Sequence, residues 1–153
     1  MAENVYFEDM IKVCEAFETR CRIHMEKKRE IVEKYGWESS EYEAWSEEME
    51  RIDEERPFTS GERKALRAWM YGRGADGEIL VDDFCWEHES ADFVNTFRKA
   101  GIKSFIVIED STALMRNIHE YVKAGCRLVG FVLVREGKTP WNAEVPGLRF
   151  EID

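Results

Sequence analysis

Residues 102–135 restrict the fold more than any other stretch. A run opening at Ser104 continues Phe105-Ile106-Val107-Ile108 and stops at Glu109-Asp110-Ser111. A helix pattern follows, with Leu114, Met115, Ile118, Tyr121 and Val122 on one face, and it ends at Gly125. The next run is Leu128-Val129-Gly130-Phe131-Val132-Leu133-Val134. Short apolar runs rich in β-branched and aromatic residues suit strands buried on both faces. Strand, helix and strand at this spacing predict a βαβ unit whose two strands run parallel with a right-handed crossover.

The flanking segments extend that unit. Residues 5–35 read as one long helix, with Phe7, Met10, Cys14, Phe17, Cys21, His24, Ile31 and Tyr35 at three- and four-residue steps that Lys28 alone interrupts. Such a stripe is core-facing, and Gly36 is placed for a left-handed cap. At 1.5 Å per residue this helix is about 45 Å long, so it is expected to project or to pair with a second subunit. Ser40-Glu41-Tyr42-Glu43 reads as a capping box opening a second helix that Pro57 stops. The short turn between the two predicts an antiparallel hairpin. Thr59-Ser60-Gly61-Glu62 is a further capping box, before a helix to about Tyr71 with Ala65, Leu66, Trp69 and Met70 inward. Ile79-Leu80-Val81 reads as a strand able to pair on either side. Ser90 reads as the cap of a helix with Phe93, Val94 and Phe97 inward. Residues 136–140 turn the chain. Leu148, Phe150 and Ile152 alternate with polar residues, as in a half-exposed strand pairing antiparallel beside Leu128–Val134. The expectation is one α/β domain over residues 1–153, with α+β the near alternative. It comprises an acidic helical hairpin (1–56) and an α/β core (57–153) whose small mixed sheet is covered by helices.

Composition narrows the classes of function. A chain of 153 residues with 44% hydrophobic and 35% charged content suits one soluble globular domain. No run reaches the ~20 apolar residues of a membrane span. The acidic start, Met1-Ala2-Glu3-Asn4, has no signal pattern, so a cytoplasmic setting is expected. Cys14, Cys21, Cys85 and Cys126 form no Cys-x-x-Cys pair and suit free thiols in a reducing compartment. The net charge of −10 is uneven: residues 1–56 hold 17 acidic and 9 basic side chains. This surface disfavours direct contact with DNA or RNA and favours basic partners.

Candidate chemistry is sparse. Gly72-Arg73-Gly74-Ala75-Asp76-Gly77 imitates a dinucleotide fingerprint, but it follows a helix and precedes a strand, the reverse of the true context. Cys85-x-x-His88 lacks the two further ligands that zinc needs. Asp82, Asp83, Glu87 and Glu89 read as a solvated acidic connector, since nothing sets their environments apart. His24 and His119 read as packing histidines. No cofactor or metal is expected. A ligand site is conceivable at Asp110, Ser111 and Thr112, where a strand meets a helix N-terminus. Without a glycine for close approach, Asp110 or Ser111 is first of all a cap. The densest signal is the hairpin, with nine acidic residues between Glu38 and Glu55. Glu41, Glu47, Glu48, Glu54 and Glu55 are therefore the candidates for contact with a basic protein partner.

Several further motifs carry a resemblance. They are Tyr35-Gly36-Trp37, Thr59-Ser60-Gly61-Glu62, Asp82-Asp83-Phe84-x-Trp86, Phe97-Arg98-Lys99-Ala100-Gly101-Ile102-Lys103, Ser111-Thr112-Ala113, Gly125-Cys126 and Val145-Pro146-Gly147-Leu148-Arg149-Phe150. Together they resemble a small uncharacterised family found in conjugative and other mobile elements of gut Firmicutes, over nearly the whole chain. The resemblance implies a bacterial cytoplasm and a cargo gene acting on host defence or element transfer. It brings no activity and no catalytic residue. The leading expectation is a non-enzymatic interaction protein, an inhibitor or regulator of a nucleic-acid enzyme. The alternatives are a ligand-binding or enzymatic domain at Asp110–Thr112, and a structural dimer through the first helix.

Overall fold

The computed structural model describes residues 3–137 and 143–153. It divides into two compact units, Glu8–Pro57 and a larger one in which residues up to Phe7 join Phe58–Asp153. The expected turn at 136–140 falls largely outside the described residues.

The smaller unit is a helical hairpin. Helix α1 is Val5–Tyr35 and α2 is Ser40–Glu54. Gly36, at φ 86°, ends α1 in the left-handed conformation that only glycine adopts cheaply. The expected capping box at Ser40 does not form, and a simple N-cap one residue earlier takes its place. Ser39 is the N-cap, and its hydroxyl accepts the Tyr42 N–H at 3.1 Å. The helices run antiparallel, since Lys28 meets Trp45 near the start of α2 while Arg20 meets Glu55 past its end. The seam is held by a reciprocal pair: Trp45 Nε1 donates to the His24 carbonyl and His24 Nε2 donates to the Trp45 carbonyl, each at 2.9 Å. Their rings stack 5.1 Å apart. His24 is thus a satisfied packing residue. Along the α1 stripe Cys14, Phe17, Cys21 and Ile31 are half-buried and Tyr35 is exposed.

The larger unit is the α/β layer. Helix α3 (Ser60–Tyr71) opens with the expected capping box, Thr59 and Glu62 each bonding the other's backbone. Strand β1 is Leu80–Val81, α4 is Ser90–Lys99, β2 is Ser104–Val107, α5 is Leu114–Lys123, β3 is Cys126–Arg135 and β4 is Glu144–Ile152. Ser90 is not the cap of α4. It lies inside the first turn, and Glu89 occupies the cap position without a side-chain bond to the helix.

The four strands form one mixed sheet in the order β1-β2-β4-β3. β1 and β2 are parallel neighbours, and β4 is antiparallel to both β2 and β3. The fold class is therefore α/β or α+β. β2 and β3 do run the same way, but β4 is inserted between them, so the adjacent parallel pair is β1–β2, joined through α4. The pairing of β4 with β3 is as expected, with a bulge between Leu128 and Gly130.

Period-two alternation sorts the two faces of the sheet. Phe105 and Phe150 meet Phe93, Phe97 and Tyr121 from α4 and α5 in a cluster of edge-on and stacked rings. Phe7 adds stacking on Trp69 of α3. On the opposite face Leu80, Ile106 and Val134 form a smaller cluster. The glycine-rich loop serves that packing. A Cβ on Gly72 would lie 2.2 Å from the Leu80 carbonyl oxygen, and one on Gly74 3.1 Å from that of Arg135.

The expectation that Leu128–Val134 is buried on both faces is overturned. β3 is the sheet's edge strand, and Phe131 is 87% and Leu133 68% exposed. The inward assignment of Met115 and Val122 on α5 fails for the same reason: both are exposed, while Tyr121 and Asn117 face inward.

Candidate functional site

In a parallel pair both carboxyl ends open on one side, which is where ligands of open α/β sheets collect. Here the ends of β1 and β2 are flanked by two clefts.

The first cleft lies beyond β1 and encloses about 150 Å³, with Lys64, Arg67, Asp82, Asp83 and Cys85 among its walls. Lys64 comes from α3 and is committed. Its Nζ donates to the Phe84 carbonyl at 2.7 Å and to Glu89 Oε1 at 2.9 Å, and Asp83 lies at 3.9 Å. Glu89 is buried and also accepts the Trp86 N–H at 2.8 Å. Burial alone would raise its carboxyl. The hydrogen bonds from Lys64, the Trp86 backbone and Ser60 outweigh that and hold it below the usual carboxylate range. The Lys64–Glu89 pair thus fixes the 84–89 connector to α3. It also separates Glu89 from Asp82, Asp83 and Glu87, which are exposed as expected for a solvated connector.

Cys85 is buried beneath the same cleft, and burial pushes its thiol up to about 11, against the smaller opposing effects of Tyr121 and Lys64. It is a neutral thiol at pH 7, not an activated nucleophile. The buried Tyr121 hydroxyl faces this thiol and, among the described residues, has no hydrogen bond of ordinary geometry. Burial, with Cys85 next, drives that phenol far above its usual value. His88 is exposed, so the Cys85-x-x-His88 spacing does not converge on one point. Among the described residues no three His, Cys, Asp or Glu side chains converge to hold a metal ion.

The second cleft, of about 460 Å³, lies beyond β2. Asp110 lines it together with Val107, Leu114, Phe131, Glu136 and Leu148. Ser111 and Thr112 are not among its walls. Neither Asp110 nor Ser111 is the N-cap of α5; that position is Ala113, which has no side-chain cap bond. Ser111 Oγ instead accepts the Ala113 N–H at 3.2 Å. The residue that organises this turn is Glu109, which belongs to the same polar stretch in the sequence but is not among the ligand candidates. Its buried carboxylate accepts the Ser111 N–H at 2.8 Å and Asn117 Nδ2 at 3.1 Å. A buried Asn one turn into the following helix is the signal that could have pointed to it.

The hairpin candidates separate into two groups. Glu48 pairs with Arg51, and Glu55 with Arg20, both beside the α1–α2 seam. Glu41 accepts the Ser40 hydroxyl at 3.2 Å. Glu47 and Glu54 are exposed on the opposite side of α2 from buried Trp45 and Ile52. At helical spacing they continue a row with Glu43 and Glu50, which are also exposed. Among the described residues none of these four carboxylates has an ion pair, while Arg20, Arg22, Arg29, Arg51 and Arg56 pair with Glu55, Glu26, Glu33, Glu48 and Asp53.

The protein is thus a helix-covered mixed-sheet unit, with packing-dominated strand ends, in one chain with an acidic helical hairpin. The chain belongs to the family described as Domain of unknown function (DUF7698), whose model matches residues 64–152. An uncharacterised family is what the sequence motifs led one to expect. The match runs from Lys64 in α3 to the last residue of β4 and leaves the hairpin outside. No curated protein and no solved structure matches the chain. Among the described residues no helix is long and apolar enough to cross a membrane.

Proposed function

We propose that the protein is a non-enzymatic interaction protein whose α2 face binds a basic protein partner. The observation that carries this reading is the row Glu43, Glu47, Glu50 and Glu54. Four exposed carboxylates stand on one face while the unit's paired arginines are spent elsewhere. Such a row raises the local negative potential and steers cationic surfaces toward it. The partner chemistry is that of a groove built for nucleic acid, rich in Lys and Arg, and the action is to occupy it. A bacterial cytoplasm and a mobile-element gene are the setting this reading assigns.

Lys substitutions at Glu43, Glu47, Glu50 and Glu54 leave the seam pairs of Glu48 and Glu55 intact, so they reverse charge without opening the hairpin. Binding to the basic partner is expected to be lost while the circular dichroism spectrum is kept. Equal binding by the folded variant removes the reading.

One observation favours a second reading, a small-ligand site. The cleft beside Asp110 joins carboxylates to apolar walls at a strand end. Ligand-dependent NMR shifts at Asp110 and Leu114 would support it.

A further inference from the structure

The edge of the sheet carries a surface that the docking reading does not use, and only its Phe131 also lines the cleft beside Asp110. β3 is ten residues long, and among the described residues the only strand it pairs with is β4, with the Ala75 N–H bonding its last carbonyl, that of Arg135, at 2.9 Å. Long apolar edge strands left open are templates for another strand, and chains ordinarily cover or charge them. Here Leu128, Val129, Phe131 and Leu133 are all exposed, and α5, which packs on β3, adds exposed Met115 and Val122. At these exposures the six leave on the order of 600 Å² of apolar surface open, the upper end for a lone monomer. That is close to the roughly 800 Å² per partner of a standard interface.

We infer that β3 pairs with β3 of a second copy, antiparallel about a two-fold axis, to make a continuous eight-stranded sheet. The sequence of the strand is self-complementary in that arrangement. A two-fold axis at Val132 sets Phe131 of one copy opposite Leu133 of the other, on the same face, and Val132 opposite itself. The segment used lies beyond the bulge between Leu128 and Gly130, where the strand is regular. The charges near the ends of the strand do not oppose the contact, because Arg127 is paired with Glu151 and Arg135 with Glu144 of its own chain. An axis normal to the sheet keeps α4 and α5 of both copies on one side. Met115 and Val122 then lie on the same side as the Phe131–Leu133 contacts. This is an isologous contact, the commonest way such chains assemble, and it is distinct from a dimer through α1.

The test is the mass of the full chain by sedimentation equilibrium from about 1 to 100 µM, since self-association is concentration-dependent. Twice the 18.0 kDa chain mass is expected for the wild type. The double variant Phe131→Glu, Leu133→Glu sets carboxylates opposite one another and is expected at the single-chain mass. Both side chains are exposed, so an unchanged circular dichroism spectrum is expected alongside. A variant of an exposed α1 residue, Ile23→Glu, is expected to stay dimeric. A wild type at single-chain mass throughout would overturn the inference. So would a dimer that survives the double variant, or one abolished by Ile23→Glu instead.

Discussion

Replacing Lys64 by Met tests how the connector between β1 and α4 is held. Methionine keeps most of the apolar stem, so the change isolates the ammonium. The Glu89 carboxylate, 3% exposed, then retains only neutral donors, and the Phe84 carbonyl loses its donor. Breaking a fully buried ion pair costs about 3–5 kcal/mol. One feature reduces that here. The Lys64 side chain is 20% exposed, so water partly screens the pair, and its long contact with exposed Asp83 adds little to the cost. A destabilisation of about 2–3 kcal/mol follows, near the value of a charge-assisted hydrogen bond. For a chain of this size that lowers Tm by roughly 5–10 °C. The sign with pH is fixed by the direction of the Glu89 shift. A carboxyl held low in the folded state stabilises above its unfolded value, about 4.3, and that stability is lost as pH falls through the folded value. The gap between wild type and variant should therefore be full at pH 7 and shrink in acid. Urea unfolding followed by circular dichroism at pH 7 and about pH 3 measures both. A difference under about 0.5 kcal/mol at pH 7 would refute the reasoning, because that is the range of exposed pairs. A gap that does not shrink in acid would refute it equally.

Two further outcomes follow from buried groups. Asn117→Ala leaves a Glu109 oxygen without its donor and should cost about 1–3 kcal/mol in urea unfolding, whereas Asp110→Ala, at an exposed position, should stay within about 0.5 kcal/mol. Cys85 and Cys126 are buried with thiols pushed up to about 11, so both should resist a disulfide reagent at pH 8 until the chain unfolds. Their raised values add stability that is full below about 8.5 and is lost as pH climbs toward 11, which alkaline unfolding followed by thiol titration can detect.

Much of the fold was legible because its signals are local. Gly36 ends α1 since its φ is positive, and Thr59 with Glu62 opens α3 because the two side chains satisfy each other's backbone. The apolar runs at 104–108 and 128–134 are strands. What sequence could not show is which strands are neighbours. Alternation in 148–152 says that one face is buried, and it says the same whether β4 lies at an edge or between β2 and β3. A run such as Leu128–Val134 likewise reads alike when buried on both faces and when it is an open apolar edge. The candidate site was less legible. Asp110 and Ser111 drew notice as short polar residues at a helix start, but the longer Glu109 side chain reaches back to cap the turn from the strand end. The hairpin glutamates were visible as a dense run. The pairing of Glu48 with Arg51 is at a helical i,i+3 spacing that the sequence contains, but that of Glu55 depends on where α1 places Arg20, and no run of letters contains that.

The decisive measurement is a paired capture with wild type and the Glu43, Glu47, Glu50, Glu54→Lys variant as baits. The retained protein is then titrated against each bait at low salt and near 1 M salt, where screening falls to about 3 Å. The docking reading predicts a basic nucleic-acid-handling protein bound by the wild type, released at high salt and not bound by the folded variant. A partner held equally by both baits, or no partner that separates them, would contradict it.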